Sequence, residues 1–259
     1  MTEKCHSILC GKNGRAHSHV ASVSADFKSG HVIPEHQHPE DQLLFASKGV
    51  MTLRTRQDVW VVPPMRAVWI PANTPHSVAM SGAVSMRTLY FLPKLCRNLP
   101  KKCFVVNVPP LLKELIVHAC RFPKLNRKAA QERRIIDFIV DQLNEAESVP
   151  LQLPQVSDAR AVRVAKTLLA DPADERTLQK LSRDCGASKR TIQRLFLDEA
   201  KMTFGKWRQQ LRLLRALELL ASGEKVSAAA AEAGYGSTSA FISMFRKHLG
   251  TTPRHYLRN

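Results

Sequence analysis

The chain has 259 residues, and at roughly 100–200 residues per domain this length predicts two domains. Lys and Arg number 39 against 22 Asp and Glu, and the net charge of +17 favours an anionic partner, either nucleic acid or an acidic membrane surface. No apolar run reaches the roughly 20 residues of a membrane span, the N-terminus lacks a signal-peptide core, and the six cysteines form no CxxC pair. We therefore expect a cytoplasmic protein with reduced thiols and no membrane partner.

The positive charge does not by itself locate the partner. From Asp158 onward the chain holds 19 basic and 10 acidic residues, and the preceding 157 residues hold 20 and 12. The excess is thus +9 in the C-terminal part and +8 in the N-terminal part.

Residues from about 17 to 108 are predicted to form β-structure. Short alternating or β-branched runs are separated by turn signals such as Lys48-Gly49 and Pro63-Pro64. Many short strands at this spacing indicate a sandwich or a barrel. The runs are residues 42–47, 50–56, 58–62, 66–70, 76–80 and 84–92.

This β-region contains a histidine pattern that resembles the two cupin motifs, GxxxxxHxHxxxExxxxxxG and PxGxxH. The resemblance covers about residues 30–79 and implies a small jelly-roll-like sensor barrel, to which we assign residues 1–108. Two positions depart from the motifs: Gln42 replaces Glu, and Asn73 replaces a Gly whose positive φ Asn tolerates. The matching positions are Gly30, His36, His38, Gly49, Pro71 and His76.

Strand alternation would place His36 and His38 on one side, and a neighbouring strand could bring His76 to them. Three imidazoles suit a divalent transition metal such as zinc, nickel, copper or iron, and Gln42 would add a neutral amide oxygen. The residues leave two alternatives, a metal site or a metal-free pocket for an effector. The flanking acids Glu35, Glu40 and Asp41 either raise the histidine pKa values or are simply solvated.

Residues 109–147 are predicted to be helical. Two stripes with i, i+3/i+4 spacing, Leu111–Ala119 and Ile135–Leu143, indicate two amphipathic helices. Either both stripes cover the barrel, or one of them pairs two subunits. Residues 148–157 contain two prolines and little periodicity, and we interpret them as a linker.

Residues 158–259 are predicted to be all-helical and contain a repeat offset by 48 to 49 residues. Each copy has a short helix, a turn glycine (Gly186 or Gly234), a Ser N-cap (Ser188 or Ser237) and a second helix. Trp207 and Tyr256 occupy matching positions. Two such units joined by a helix over about residues 203–221 predict two helix-turn-helix motifs, whose second helices can enter DNA major grooves.

Residues 157–258 resemble the AraC/XylS family of bacterial regulators, most specifically over the closing stretch from Ala233 to Pro253. The resemblance implies two recognition helices that enter successive major grooves. In the first helix, Arg190, Gln193 and Arg194 share one side suited to base reading. The full predicted DNA-binding set is Lys189, Arg190, Gln193, Arg194, Thr238, Ser239, Ser243, Arg246 and Lys247, the last two as phosphate contacts.

The predicted fold class is therefore α+β in two domains. The predicted function is a sequence-specific transcription regulator, without catalytic residues, that responds to a small-molecule or metal effector. The alternative is a metal-dependent cupin enzyme, a dioxygenase or isomerase, with an appended DNA-binding domain; Gln42 in place of Glu argues against it. The expected partners are double-stranded promoter or operator DNA, the effector, a second copy of the chain and RNA polymerase.

Overall fold

The computed structural model of the chain describes residues 18–256, which form two compact units. Unit 1 contains residues up to 56 and residues 62–150, and unit 2 contains residues 57–61 and those from 151 onward. Residues 1–17 of the predicted sensor domain, with Cys5 and Cys10, lie outside the described residues, as do residues 257–259. The cysteines at 96, 103, 120 and 185 are free thiols.

The β-structure lies mostly in unit 1, as short and long antiparallel strands. In chain order these are β1 (Val20–Phe27), β2 (Val32–His36), β3 (Asp41–Arg54), β4 (Asp58–Val62), β5 (Arg66–Ile70), β6 (His76–Phe91), β7 (Phe104–Asn107), β8 (Lys124–Leu125), β9 (Ser148–Val149) and β10 (Gln152–Pro154). A short 3₁₀ helix spans Pro93–Leu95, and the two helices of unit 1 are α1 (Pro110–Ala119) and α2 (Ala130–Glu145).

The strands of unit 1 pair in the order β8-β1-β6-β3-β5-β7-β9, and β2 pairs with β6. The two longest strands, β3 and β6, pair along most of their length, with register shifts near Lys48. Such bulges bend a strand and increase its twist. The second half of β6 pairs with β1 and its first residues pair with β2, so the end of β2 lies beside the start of β6.

Because side chains alternate along each strand, the two faces of the sheet carry different sets of residues. One face carries Leu43, Phe45 and Trp69, which are buried in a core with α1 and α2. The opposite face carries Gln42, which is directly across from Tyr90. The helical stripes cover this sheet: the core contains Leu112, Ile116 and Ala119 of α1, and Ile136, Ile139 and Leu143 of α2.

Unit 2 contains the predicted helix-turn-helix repeat. Its helices are α3 (Ala159–Ala170), α4 (Leu178–Asp184), α5 (Lys189–Glu199), α6 (Phe204–Ala221), α7 (Val226–Glu232), α8 (Thr238–Leu249) and α9 (Pro253–Tyr256). The predicted N-caps are confirmed, because the side chain of Ser188 accepts from Thr191 N and that of Ser237 accepts from Ala240 N. No helix among residues 18–256 is both long and apolar enough to cross a membrane.

The repeat is also visible in the core of unit 2. Phe196 of α5 contacts Trp207 with ring centroids 5.1 Å apart, and Phe245 of α8 contacts Tyr256 at 5.5 Å. In each motif the second helix therefore packs against an aromatic residue, and these two residues, Trp207 and Tyr256, hold matching positions in the two copies. The stretch 148–157, interpreted from the sequence as a linker, contains the short strands β9 and β10. Within unit 2, Trp207 Nε1 donates to Pro154 O at 2.8 Å.

Candidate effector site and nucleic-acid interface

Three histidines of unit 1 converge. His36 ends β2, His76 begins β6 in register with it, and His38 follows in the loop before β3. The ring centroids of His36 and His76 are 4.4 Å apart, and those of His38 and His76 are 5.3 Å apart. The predicted strand alternation is wrong for His38, which lies beyond the end of the strand and reaches the cluster through the loop.

Two hydrogen bonds from backbone N–H groups hold that loop in place. Asn73 N donates to His38 O at 2.7 Å, and Ala72 N donates to Asp41 Oδ1 at 2.9 Å. Asn73 has a φ of 59°, which confirms that the residue in place of the motif glycine adopts the left-handed conformation. The turn before His76 and the loop around His38 are therefore fixed to each other.

The orientation of each imidazole follows from its Nδ1 atom. Every one of the three lies within hydrogen-bond distance of a backbone carbonyl, which can only accept. When His36 and His76 are neutral, Nδ1 therefore carries the proton and Nε2 has the lone pair. The pairs are His36 with Pro34 O at 2.9 Å, His38 with Glu40 O at 2.8 Å and His76 with Thr74 O at 2.7 Å.

Burial keeps the deeper two histidines neutral. Desolvation lowers the pKa of His76 to about 4 and also lowers the pKa of His38. The neighbouring acids do not reverse this effect on His38, although Glu40 acts to raise its pKa. Glu40 and Asp41 are themselves buried rather than solvated, and burial raises the pKa of the Asp41 carboxyl.

Gln42 presents its amide oxygen to the cluster. The Thr88 hydroxyl donates to Leu43 O, so its oxygen accepts from Gln42 Nε2 at 2.9 Å. This bond leaves Gln42 Oε1 facing His38 Nε2 at 3.0 Å. His38 thus has an acceptor at each ring nitrogen, Glu40 O at Nδ1 and Gln42 Oε1 at Nε2, and the neutral ring can donate to only one of them.

The donor set fits a divalent transition metal. The ligand nitrogens of His36, His38 and His76 all lie within 4.8 Å of one another. Nε2 of His76 is buried and makes no hydrogen bond within the described chain. Neutral imidazoles whose other nitrogen donates to a carbonyl are typical metal ligands, and a cation would give the buried Nε2 of His76 the partner that it lacks.

In unit 2, the predicted base-reading residues lie on the free face of α5. Lys189, Arg190, Gln193 and Arg194 are all exposed, whereas Ile192 and Phe196 are buried on the opposite face. Leu195 is half-buried. The predicted residues of α8 are also exposed, except that Thr238 is half-buried; the exposed ones are Ser239, Ser243, Arg246 and Lys247.

Sequence reasoning missed one apolar neighbour of the recognition face. Leu197 is 53% exposed and follows Arg190 and Arg194 by seven and three residues, which places all three on one side of α5. A groove of about 400 Å³ beside α5 is lined by Leu178, Arg190, Gln193, Arg194, Leu197 and residues 203–205. Helical spacing alone could have identified Leu197.

Both units match known families. Residues 23–153 match the AraC-like ligand binding domain, and residues 181–259 match a helix-turn-helix domain. The chain belongs to the AraC family. It is similar to the HTH-type transcriptional regulator NimR of Escherichia coli K12, with 33% identity over 224 residues that cover 86% of this chain and 82% of NimR.

Other proteins to which the chain is similar cover less of it or are more distant. RipA of Corynebacterium glutamicum is 39% identical over 101 residues, which cover 39% of this chain and 30% of RipA. A crystal structure of fatty-acid-bound ToxT from Vibrio cholerae covers 92% of this chain and 95% of ToxT, with 14% identity and a TM-score of 0.39. The named relatives are transcription regulators, in agreement with a ligand-binding regulator rather than an enzyme.

The candidate effector site of this AraC-family chain includes two residues that sequence reasoning missed. Thr88 and Tyr90 lie on the same face of β6 and contact Gln42, and the Tyr90 ring lies 5.0 Å from that of His38. The sequence shows that Thr88 and Tyr90 are two residues apart in a predicted strand and therefore lie on the same face. It does not show that they contact Gln42, because that contact depends on the register between β3 and β6.

Proposed function

We propose that this AraC-family regulator senses an effector through a divalent transition metal held by His36, His38, His76 and Gln42. The observation that carries the proposal is the common orientation of the three imidazoles. Each has Nδ1 beside a backbone carbonyl, so that rings protonated at Nδ1 would offer three Nε2 lone pairs to a metal in one small, largely buried site. Zinc, nickel, copper and iron all suit imidazole ligands.

Such a metal would supply a Lewis-acidic centre, either as the effector itself or as the anchor of a small molecule. The protein's own part is to keep the imidazoles of His38 and His76 neutral by burial and to orient all three through backbone carbonyls. Gln42 would contribute an uncharged oxygen, which leaves the site more positive than one with a carboxylate. The effector changes DNA affinity only if it binds one arrangement of the chain better than another.

The test is metal binding by the purified full-length chain. Equilibrium dialysis against Zn²⁺ or Ni²⁺, followed by elemental analysis, should find about one ion per chain, lost in His76→Ala. His31→Ala, which removes an exposed histidine of the same unit, is the matched control and should retain the ion. If the parent chain and the His76 variant bound the same amount of metal, a metal-free effector pocket would replace the proposal.

We propose that α5 reads bases and that α8 contributes mainly phosphate contacts. Arg190, Gln193 and Arg194 are exposed on one side of α5, and Arg and Gln side chains have the donor geometry for guanine and adenine edges. The corresponding side of α8 carries the short Ser239 and Ser243, which reach less far. The DNA target, a promoter or operator, also makes the cytoplasm the proposed compartment.

We also propose that the regulator acts as a homodimer and contacts RNA polymerase at its promoters. The dimer proposal is supported by the outward faces of α1 and α2, where Leu111 is 52% exposed and Phe138 is 42% exposed. The buried stripes of these helices cover the sheet, so pairing of subunits would use the opposite faces. The polymerase contact follows only from the class of protein.

A further inference from the structure

The positive charge of unit 1 is concentrated in one part of the chain. Residues 93–134 carry eleven Lys and Arg against two Glu, whereas the rest of residues 1–157 carries nine Lys and Arg against ten Asp and Glu. None of this charge belongs to the helix-turn-helix motifs, which begin after residue 157. The function proposed above therefore leaves this excess unexplained.

Ten of the eleven cations are exposed, and we call them the basic surface. They come from two segments, one before β7 and one between α1 and the first turns of α2. Among residues 18–256, Arg127 is the single member with an ion pair, to Asp137 at 2.9 Å. The members are Lys94, Arg97, Lys101, Lys102, Arg121, Lys124, Arg127, Lys128, Arg133 and Arg134.

His19 joins the two segments. Its carbonyl accepts from Leu92 N at 3.1 Å, just before the first segment, and its Nδ1 accepts from Arg127 N at 3.3 Å in the second. Burial, followed among others by the charges of Lys94, Arg127 and Lys128, lowers the pKa of His19. Lys94 of the first segment and Arg127 and Lys128 of the second therefore all lie close enough to His19 to lower its pKa, although the two segments are more than 30 residues apart in sequence.

We propose that the basic surface of the sensor unit binds the DNA backbone, so that unit 1 adds sequence-independent affinity to that of the recognition helices. Exposed Lys and Arg side chains bind phosphates and release the counterions condensed on DNA. Such contacts position a protein on the duplex and carry no sequence information.

DNA fits this surface better than an acidic protein does. The helix-turn-helix unit of the same chain already brings a polyanion close, and tethering raises its effective concentration at unit 1 to the millimolar range. Protein-binding sites usually centre on a cluster of aromatic or aliphatic anchors, and in these two described segments Phe122, 39% exposed, is the single exposed large apolar side chain. The two segments offer cations spread over at least ten positions, a distribution suited to a repeating phosphate lattice.

The test measures the salt dependence of DNA binding by the full-length chain. The variant carries Lys101→Gln, Lys102→Gln and Lys124→Gln, and the probe is a fluorescein-labelled 40-base-pair duplex of arbitrary sequence. The control carries Lys28→Gln, Lys48→Gln and Arg54→Gln, which remove three exposed cations elsewhere on unit 1. Fluorescence anisotropy gives Kd over a series of salt concentrations for each protein.

The slope of log Kd against log salt should fall by about 0.9 for each lost phosphate contact, hence by up to about 2.7 in the variant. The control should keep the parental slope, and a triple Lys→Arg variant at positions 101, 102 and 124 should restore it. A variant slope equal to that of the control would overturn the proposal and leave an acidic protein as the partner of this surface. Equal melting temperatures for variant and control exclude a folding defect as the cause.

Discussion

At the scale of single residues, the site is specified by backbone carbonyls as much as by histidines. The sequence identifies His36, His38, Gln42 and His76 as candidates because their spacing resembles a known motif. It does not reveal that each Nδ1 finds a carbonyl, since those contacts depend on loop conformation. The strand argument for His38 failed for the same reason: the strand ends at His36, and the loop after it was not predictable from alternation.

The first residue-scale prediction concerns His76 and pH. Its pKa is about 4 in the folded chain and about 6.5 when unfolded, so the unfolded state binds more protons between these values. The stability that His76 contributes is therefore present above pH 6.5 and is lost as the pH falls towards 4. In metal-free protein the loss from pH 8 to pH 5 should be about 2 kcal/mol.

Urea unfolding at a series of pH values measures this effect. His76→Asn should be less stable at neutral pH and should show a flatter pH profile than the parent chain. The pKa of His38 is also lowered, but His38 is present in both proteins. The difference between the two pH profiles therefore reports on His76. Parallel profiles for the two proteins would contradict a strongly shifted His76.

The second residue-scale prediction concerns base reading. Arg194→Ala should cost about 1–3 kcal/mol on the specific site and relax the preference at one base pair. Lys247→Ala should weaken binding to all sequences about equally, because a phosphate contact carries no sequence information. Competition binding with operator and random duplexes separates the two. Equal loss on both duplexes for Arg194→Ala would show that this side chain does not read a base.

At the scale of elements, the repeat has two copies that are built alike and packed differently. Gly186 and Gly234 end the first helices of the two motifs, with φ of 70° and 80°. A Cβ on Gly186 would meet nothing within 4 Å, whereas one on Gly234 would lie 2.8 Å from Ala173 Cα and 2.7 Å from a guanidinium nitrogen of Arg212. Arg212 in turn donates to Pro172 O at 3.0 Å. The turn of the second motif thus packs against the loop after α3.

This asymmetry predicts different costs for the same substitution. Both Gly186→Ala and Gly234→Ala impose a left-handed conformation on Ala, at about 1–2 kcal/mol each. Only Gly234→Ala also pushes a methyl group into the backbone of Ala173, and we expect at least about 1 kcal/mol more destabilisation from overpacking. Thermal unfolding of the two variants gives the difference. Equal destabilisation would mean that the loop moves aside freely.

The elements differ in how far the sequence could predict them. The strands 58–62 and 66–70 were predicted with the bounds of β4 and β5, because turn prolines frame both. The strands β9 and β10 were missed, since two- and three-residue strands between prolines have no readable periodicity. The stripes of α1 and α2 were recognised, but amphipathic spacing does not say whether a sheet or a second subunit covers them.

At the scale of the whole molecule, assembly depends on the faces that the core leaves free. If the outward faces of α1 and α2 pair two subunits, Leu111→Glu with Phe138→Glu should convert a dimer into a monomer. The control is Leu169→Glu, an equally exposed leucine of α3 that should leave the mass unchanged. Light scattering measures the mass, and a parent chain that stays monomeric even on operator DNA would rule out the dimer.

Coupling between effector and DNA is the property that makes the whole chain a regulator. Free-energy coupling is reciprocal: if metal changes the affinity for operator DNA by some factor, operator DNA must change the affinity for metal by the same factor. We expect that factor to be about 5 to 150 in either direction, the usual range for allosteric proteins. Titrating Zn²⁺ with and without a fragment of the chain's own upstream region, and DNA with and without Zn²⁺, gives the two factors independently.

The double variant His36→Ala, His38→Ala provides the control for that coupling. It should retain the DNA affinity of the metal-free parent, because the recognition helices belong to unit 2, and it should lose the response to Zn²⁺ in both titrations. In a promoter-reporter assay the same variant should be fixed at one level of expression. A variant that still responded normally would show that the histidine cluster is not the sensor, and the helical segment of residues 110–145 would become the better candidate for the effector site.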